Sequence, residues 1–114
     1  MRPQITARLL LAVAFGLAAV PALAEDQPAP ITVIIKDHRF VPSEIHVPAG
    51  QPALVLVLNQ DGSAEEVESG PLKIEKVVPA GAQSRIRLRA LEPGRYSFIG
   101  EYHPDTAQGV VIAE

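Results

Sequence analysis

The chain has 114 residues, with 10 Lys and Arg against 13 Asp and Glu, 3 His and no cysteine, for a net charge of −3. That acidic balance argues against nucleic acid or an anionic membrane as partner and suits binding of cations. The missing cysteine excludes disulfides, thiolate metal ligands and a cysteine nucleophile, so packing alone must hold the fold.

Residues 1–24 read as a secretory signal peptide. Arg2 and Arg8 make a positive start, Leu9 to Val20 is an apolar run, and Ala22-Leu23-Ala24 has the small-x-small form of a cleavage site. The run is too short to span a bilayer, so the expectation is export to the periplasm without membrane insertion. Residues 25–30 form a polar, flexible lead-in. Residues 31–114 form one small domain, of a size that buries roughly 60 to 65% of its unfolded surface.

Within that domain the β-branched run Ile31 to Lys36 predicts a buried strand, followed by a turn or bulge at Asp37-His38-Arg39. Phe40 to Ser43 continues irregularly. Glu44-Ile45-His46-Val47 alternates polar and apolar until Pro48-Ala49-Gly50 stops it. Ala53 to Leu58 is apolar at every position, which predicts a central strand with both faces covered. Asn59-Gln60-Asp61-Gly62-Ser63 is dense in turn formers. Glu65 to Ser69 follows, then a Gly70-Pro71 break, then a strand within Leu72 to Val78, closed by Pro79-Ala80-Gly81.

From Ser84 to Leu91 the alternation sets Arg85, Arg87 and Arg89 on one face and Ile86, Leu88 and Ala90 on the other. A wet strand face that also discourages edge pairing is the simplest use of the arginines. Pro93-Gly94 then turns into Tyr96 to Ile99, where Tyr96 is placed for a tyrosine corner, and Val110 to Ala113 closes the chain. The expected architecture is an all-β Greek-key sandwich of about 7–8 strands.

Two acidic groups have a spacing of two. Glu66 and Glu68 flank Val67, so in a strand both carboxylates share one side while the valine packs behind. Glu101, His103 and Asp105 repeat the device in the last loop, although Pro104 interrupts strict alternation. If the two segments meet, like charges converge, and a cation relieves the repulsion. Imidazole nitrogen and carboxylate oxygen suit iron, manganese, zinc or Cu(II) and exclude a thiolate-bound type I copper. His38 and His46 are expected to be ordinary surface histidines, Glu75 a member of a solvated salt bridge, and Tyr102 a neighbour that gates or tunes His103.

The segment Tyr96-Ser97-Phe98-Ile99-Gly100-Glu101-Tyr102-His103-Pro104 resembles the closing strand and loop of cupredoxins, with Gly100 where the cysteine ligand stands. Thr106 or Ala107 occupies the place of the methionine ligand. Asn59 to Glu65 resembles the cupredoxin N-x-D-x-x-x-H segment, with Glu65 in place of its histidine. The resemblance therefore implies Glu65 as a site residue where the spacing groups Glu66 with Glu68, and that choice stays open.

A narrower resemblance is to the cysteine-free cupredoxin-like domains that accompany bacterial iron uptake systems of the Efe and Ftr type. Glu65-Glu66-Val67-Glu68-Ser69, Ile74-Glu75-Lys76 and Gly100 to Gly109 carry it. It implies a periplasmic protein binding iron or copper in a non-blue site and serving an inner-membrane iron permease. The candidate metal ligands are His103, Glu101, Glu66, Glu68, Glu65 and Asp105. The expected role is binding rather than catalysis, with ferrous oxidation or electron transfer as an accessory activity. The alternative is a metal-free interaction module on the same scaffold.

Overall fold

A computed structural model describes residues 29–114 continuously, together with residues 1, 3–4, 11–14 and 16. The expected cleavage site, most of the expected leader and the start of the lead-in lie outside the described residues. Among those described, no helix is long and apolar enough to cross a membrane.

Nine strands form in chain order: β1 (Ile31–Lys36), β2 (Arg39–Val41), β3 (Glu44–Val47), β4 (Ala53–Asn59), β5 (Glu65–Ser69), β6 (Ile74–Val78), β7 (Gln83–Leu88), β8 (Gly94–Gly100) and β9 (Gln108–Ala113). They make two packed sheets, ordered β2-β1-β4-β7 and β3-β9-β8-β5-β6. Both are mixed, because β1 runs parallel to β4 and β3 parallel to β9. The chain crosses repeatedly between layers, as the expected all-β sandwich requires. The strand count exceeds the expected 7–8 because Phe40 and its neighbours pair with β1 as a short hairpin strand.

The core is built from the inward positions of both sheets. Val33, Ile35, Val55, Val57, Ile86 and Leu88 face Val67, Val78, Phe98, Val111 and Ala113, all buried. Phe40 meets the Phe98 ring edge-on with centroids 4.9 Å apart, at the 62° tilt that the ring quadrupoles favour. Gly109, directly across from Phe98 on β9, leaves room for that ring: a Cβ there would sit 2.2 Å from it. Tyr96 forms the expected corner, its hydroxyl donating to the Glu92 carbonyl at 2.7 Å.

The expectation for β4 needs correction. The strand is central, between β1 and β7, but only Val55, Val57 and Asn59 are buried, and Leu54, Leu56 and Leu58 on its outer side are half-buried. No third layer among the described residues covers them. The continuous apolar run arises from an outer face that is itself apolar, not from a strand enclosed on both sides.

Candidate functional site

The first group of side chains is set by β5. Its burial alternates strictly, with Glu65, Val67 and Ser69 buried and Glu66 and Glu68 half-exposed. One strand therefore sends its acidic residues to two faces: Glu65 enters the sandwich, and Glu66 and Glu68 leave it. This separates residues that the sequence left together.

Glu65 is only 1% exposed, a placement that costs free energy unless its oxygens are satisfied. Oε1 accepts the backbone N–H of Glu66 at 3.0 Å and that of Tyr102 at 2.9 Å. Oε2 lies 2.5 Å from Nδ1 of His103. A carboxylate oxygen only accepts, so the geometry assigns the hydrogen to Nδ1 and leaves the Nε2 lone pair directed away from Glu65. The His103 side chain is 24% exposed, so the pair joins a fully buried acid to a partly accessible base.

The loop between β8 and β9 is wound to present His103. Gly100 N donates to Ala107 O at 2.8 Å, His103 N to Gly100 O at 3.0 Å, and Ala107 N to His103 O at 2.8 Å. Gly100 is needed for a steric reason: a Cβ at this position would lie 2.6 Å from the Ala107 Cβ and 2.6 Å from the Glu65 Cδ. Glu65 and the fully buried Ala107 therefore fill the space that a larger residue at position 100 would occupy.

His38, expected to be an ordinary surface residue, packs on His103. The two rings are stacked with centroids 3.5 Å apart and planes 13° from parallel. Its loop is held from below. Asn59 donates through Nδ2 to Ser63 O and Val78 O and accepts the N–H of Asp61 through Oδ1. Asp61 in turn accepts the N–H groups of Asp37 at 2.8 Å and His38 at 2.9 Å. Both of those residues have positive φ, 52° and 57°, and the Asp61 carboxylate compensates that strain. The His38 N–H bond is the main reason the Asp61 carboxyl titrates below its usual range, with Asp37 and the two nearby imidazoles adding to it.

The second group lies on the outer face of the five-stranded sheet. One carboxylate oxygen from each of Glu66, Glu68 and Glu101 lies within 4.8 Å of the others. The β8–β9 loop is tied to β5 here by the Glu101 N–H donating to the Glu66 carbonyl at 2.8 Å. Contact with Glu68 raises the pKa of Glu101 through a shared hydrogen bond and through repulsion. Glu75 stands directly opposite Glu68 on β6 and adds to that repulsion, in place of the expected salt bridge. Burial and then the Glu66 charge raise the pKa of the Tyr102 hydroxyl.

Of the six candidate ligands, the structure thus brings Glu66, Glu68 and Glu101 together on one face, and Glu65 with His103 on the other. Asp105 belongs to neither group. It lines a shallow pocket with Arg39, Ser43, Thr106 and Gln108. His46 is exposed as expected, its two ring nitrogens held by Glu114 at 2.8 Å and Glu44 at 2.9 Å.

Comparison with known proteins places the fold. The profile of the cupredoxin-like domain family matches residues 7–113. The chain belongs to the cupredoxin-like domain family. An uncharacterized protein of Rickettsia prowazekii (strain Madrid E) is 38% identical over 92 residues, covering 81% of this chain and 74% of the relative. Among solved structures, a variant of amicyanin in its Cu(I) form superposes with a TM-score of 0.62 at 26% identity, covering 80% of this chain and 88% of amicyanin. The metal-binding domain of the Cu(I)-exporting P-type ATPase CopA of Streptococcus pneumoniae D39 superposes at 0.64 with 17% identity, covering 75% and 84%, a likeness of fold alone.

The cupredoxin-like domain carries copper in such relatives, but a type I centre does not fit here. No thiolate exists in the chain. A Cβ at position 100 has no room, and the Nδ1 of His103 is taken by Glu65. This chain carries one histidine in the β8–β9 loop, His103, bonded to the buried Glu65, and three carboxylates, Glu66, Glu68 and Glu101, on the other face of β5.

Proposed function

We propose that the chain is a periplasmic cation-binding protein that captures iron or copper in oxygen ligands on the outer face of its five-stranded sheet and delivers it to a membrane permease. The observation that carries this reading is the convergence of Glu66, Glu68 and Glu101, with ligand atoms within 4.8 Å on a stiff strand and its neighbouring loop. Carboxylates held that close repel one another, as the raised pKa of Glu101 reflects, and a bound cation turns the repulsion into attraction. Hard oxygen ligands favour hard cations and rank iron ahead of Cu(I) at this position. Family membership supports metal handling in general, and the secretory features of residues 1–24 support the compartment.

Glu65 and His103 lie on the opposite face of β5 and serve this reading indirectly, by fixing the loop that carries Glu101. Asp105 contributes charge at the loop's far end. Calorimetric titration of the metal-free chain with Fe(II), Cu(II) and Zn(II) tests the proposal. Binding tighter than about 100 μM that is lost in Glu66→Gln/Glu68→Gln is expected, and the absence of such binding for all three ions overturns it.

A second reading is favoured by the outer face of the four-stranded sheet. Ile34, Leu54, Leu56 and Leu58 are half-buried there and Val41 is 53% exposed. Register places Arg85 and Arg87 beside the leucines and Lys36 beside Arg39. An apolar patch whose charged neighbours in the strand register are Arg85, Arg87, Lys36 and Arg39 suits a protein partner whose surface is apolar and rimmed by carboxylates. Loss of binding to that partner on Arg87→Glu, with metal binding intact, is its signature.

A further inference from the structure

We propose that the cationic outer face of the four-stranded sheet docks on the acidic outer face of the five-stranded sheet of a second copy of this chain, so that copies associate head to tail. The inference rests on the docking reading above and deepens it by naming the partner.

The character of each face follows from composition and register. None of β1, β2, β4 and β7 contains an Asp or Glu. With Ile35, Phe40, Val57 and Ile86 buried on the inner side, the pairing turns Lys36 and Arg39 outward at one flank and Arg85 and Arg87 outward at the other. Between them the middle strands β1 and β4 carry the half-buried Ile34, Leu54, Leu56 and Leu58. The face is thus apolar at its centre and cationic at both flanks.

The other sheet repeats the pattern with the opposite sign. Its middle strands β8 and β9 carry the half-buried Ile99, Val110 and Ile112 on their outer side. At one flank stand Glu66 and Glu68 on β5, with Glu75 on β6 across from Glu68 and Glu101 beside them. At the other flank stands Glu44 on β3, with Glu114 joined to it through His46. Arg95, beside Ile112, is the cation in the outward register of these strands. From β2 to β7 and from β3 to β5 there are three strand spacings each, about 14 Å. An apolar centre between cations therefore meets an apolar centre of equal width between carboxylates.

Charge also decides the symmetry. A two-fold pair built on either face sets like charges against like, which is costly, whereas the heterologous arrangement sets each face against its complement. It leaves one face of each kind open at the ends, so copies add in series rather than stopping at two. Four strands at this spacing and about 20 Å long present roughly 400 Å² of face. That falls short of the about 800 Å² per partner of a stable complex, so the association is reversible and grows with concentration. The cation proposed at Glu66, Glu68 and Glu101 offsets part of the negative charge, so docking belongs to the metal-free chain and loading weakens it.

The test is sedimentation of the full chain with chelator present, at concentrations up to about 1 mM. The weight-average mass is expected to rise past that of a dimer at about 20 mM salt and to return to the monomer at about 500 mM, where exposed charges are screened. Arg85→Glu/Arg87→Glu and, separately, Glu44→Lys/Glu75→Lys alter exposed positions and should each weaken association by at least about tenfold with the thermal midpoint unchanged. Mixing the two variants should restore association, because each keeps one native face. A wild-type chain that stays monomeric throughout overturns the proposal without touching the docking reading, whose signature is another partner lost on Arg87→Glu. Association that persists in Arg85→Glu/Arg87→Glu, or that is indifferent to salt, overturns both. None of these readouts depends on whether the carboxylate cluster binds iron.

Discussion

At position 100 a single hydrogen in place of a side chain decides what the site can be. The Cβ that any other residue adds would lie 2.6 Å from both Ala107 and Glu65, distances that force one of them to move. Gly100→Ala is expected to destabilise the chain by about 1–3 kcal/mol, the usual cost of overpacking, read as a lower denaturant midpoint with an unchanged slope. The partner that fills this space is equally specific. His103→Ala removes one of the three donors to a carboxylate that is 1% exposed, and leaving that oxygen unpaired should cost about 2 kcal/mol. If His103→Ala proves as stable as the wild type, Glu65 finds another donor and the pair is not what orders the loop.

At the scale of elements, β5 and the β8–β9 loop exchange repulsion for function. The folded-state pKa of Glu101 is raised above its ordinary 4.5, chiefly by Glu68. A carboxyl with a raised folded pKa binds its proton more tightly in the native chain, so its effect on stability is most favourable at low pH and is lost as pH rises from 4.5 through the folded value. Glu101→Gln should therefore raise the thermal midpoint at neutral pH in metal-free protein and weaken iron binding, a stability gain at the expense of the site. Asp61 has the opposite sign. Its pKa is lowered from 3.8, mainly by the His38 N–H, so the contribution is present above 3.8 and is lost as acid takes the pH down through the lower folded value. Asp61→Asn should remove that acid-side dependence and loosen the His38 loop, seen as faster amide exchange at residues 37 and 38. On the far side of the sandwich, His46 between Glu114 and Glu44 has a raised pKa, so what it adds is present below 6.5 and fades as pH rises through its folded value. A titration of its ring resonances that gives a midpoint at or below 6.5 would refute that link.

Across the whole molecule, the two sheets present opposite outer faces. The five-stranded sheet carries Glu66, Glu68 and Glu75 together, and the four-stranded sheet carries Arg85 and Arg87 beside half-buried leucines. The two proposed roles, cation capture and partner docking, thus fall on separate surfaces of the sandwich. Metal binding to the native chain alone should raise global stability by about 2.7 kcal/mol when the free ion is a hundredfold above its dissociation constant. Thermal unfolding with and without Fe(II) checks this, and the stabilisation should vanish in Glu66→Gln/Glu68→Gln.

Much of this was legible in the residues because β structure writes itself locally. A period of two marks each strand's inner and outer side, so Val67 behind Glu66 and Glu68 and the outward Arg85 and Arg87 of β7 follow from spacing, and the Tyr96 corner from the turn before it; Arg89, expected in the same row, lies past the end of β7 and donates to the Leu72 and Pro71 carbonyls. Turn formers mark where strands end, and the Gly100 to Gly109 segment carries the family's loop even without its soft ligands. The same local code could not say that the outer side of β4 lacks a covering layer, since a run of leucines reads alike whether one face or two are enclosed. Nor could it separate Glu65 from Glu66, because the phase of β5 is set by which of its residues meets His103 and which pairs with Val78 on the neighbouring strand β6, contacts 38 and 13 positions away along the chain. His38 was read as ordinary for the same reason: its meaning lies in a ring stacked on it from 65 residues away. Sequence thus determined most of the strands, the two sides of those that alternate plainly, and the absence of a thiolate centre. Tertiary structure alone decided which side chains converge, because convergence depends on register and loop path between segments that share no local signal.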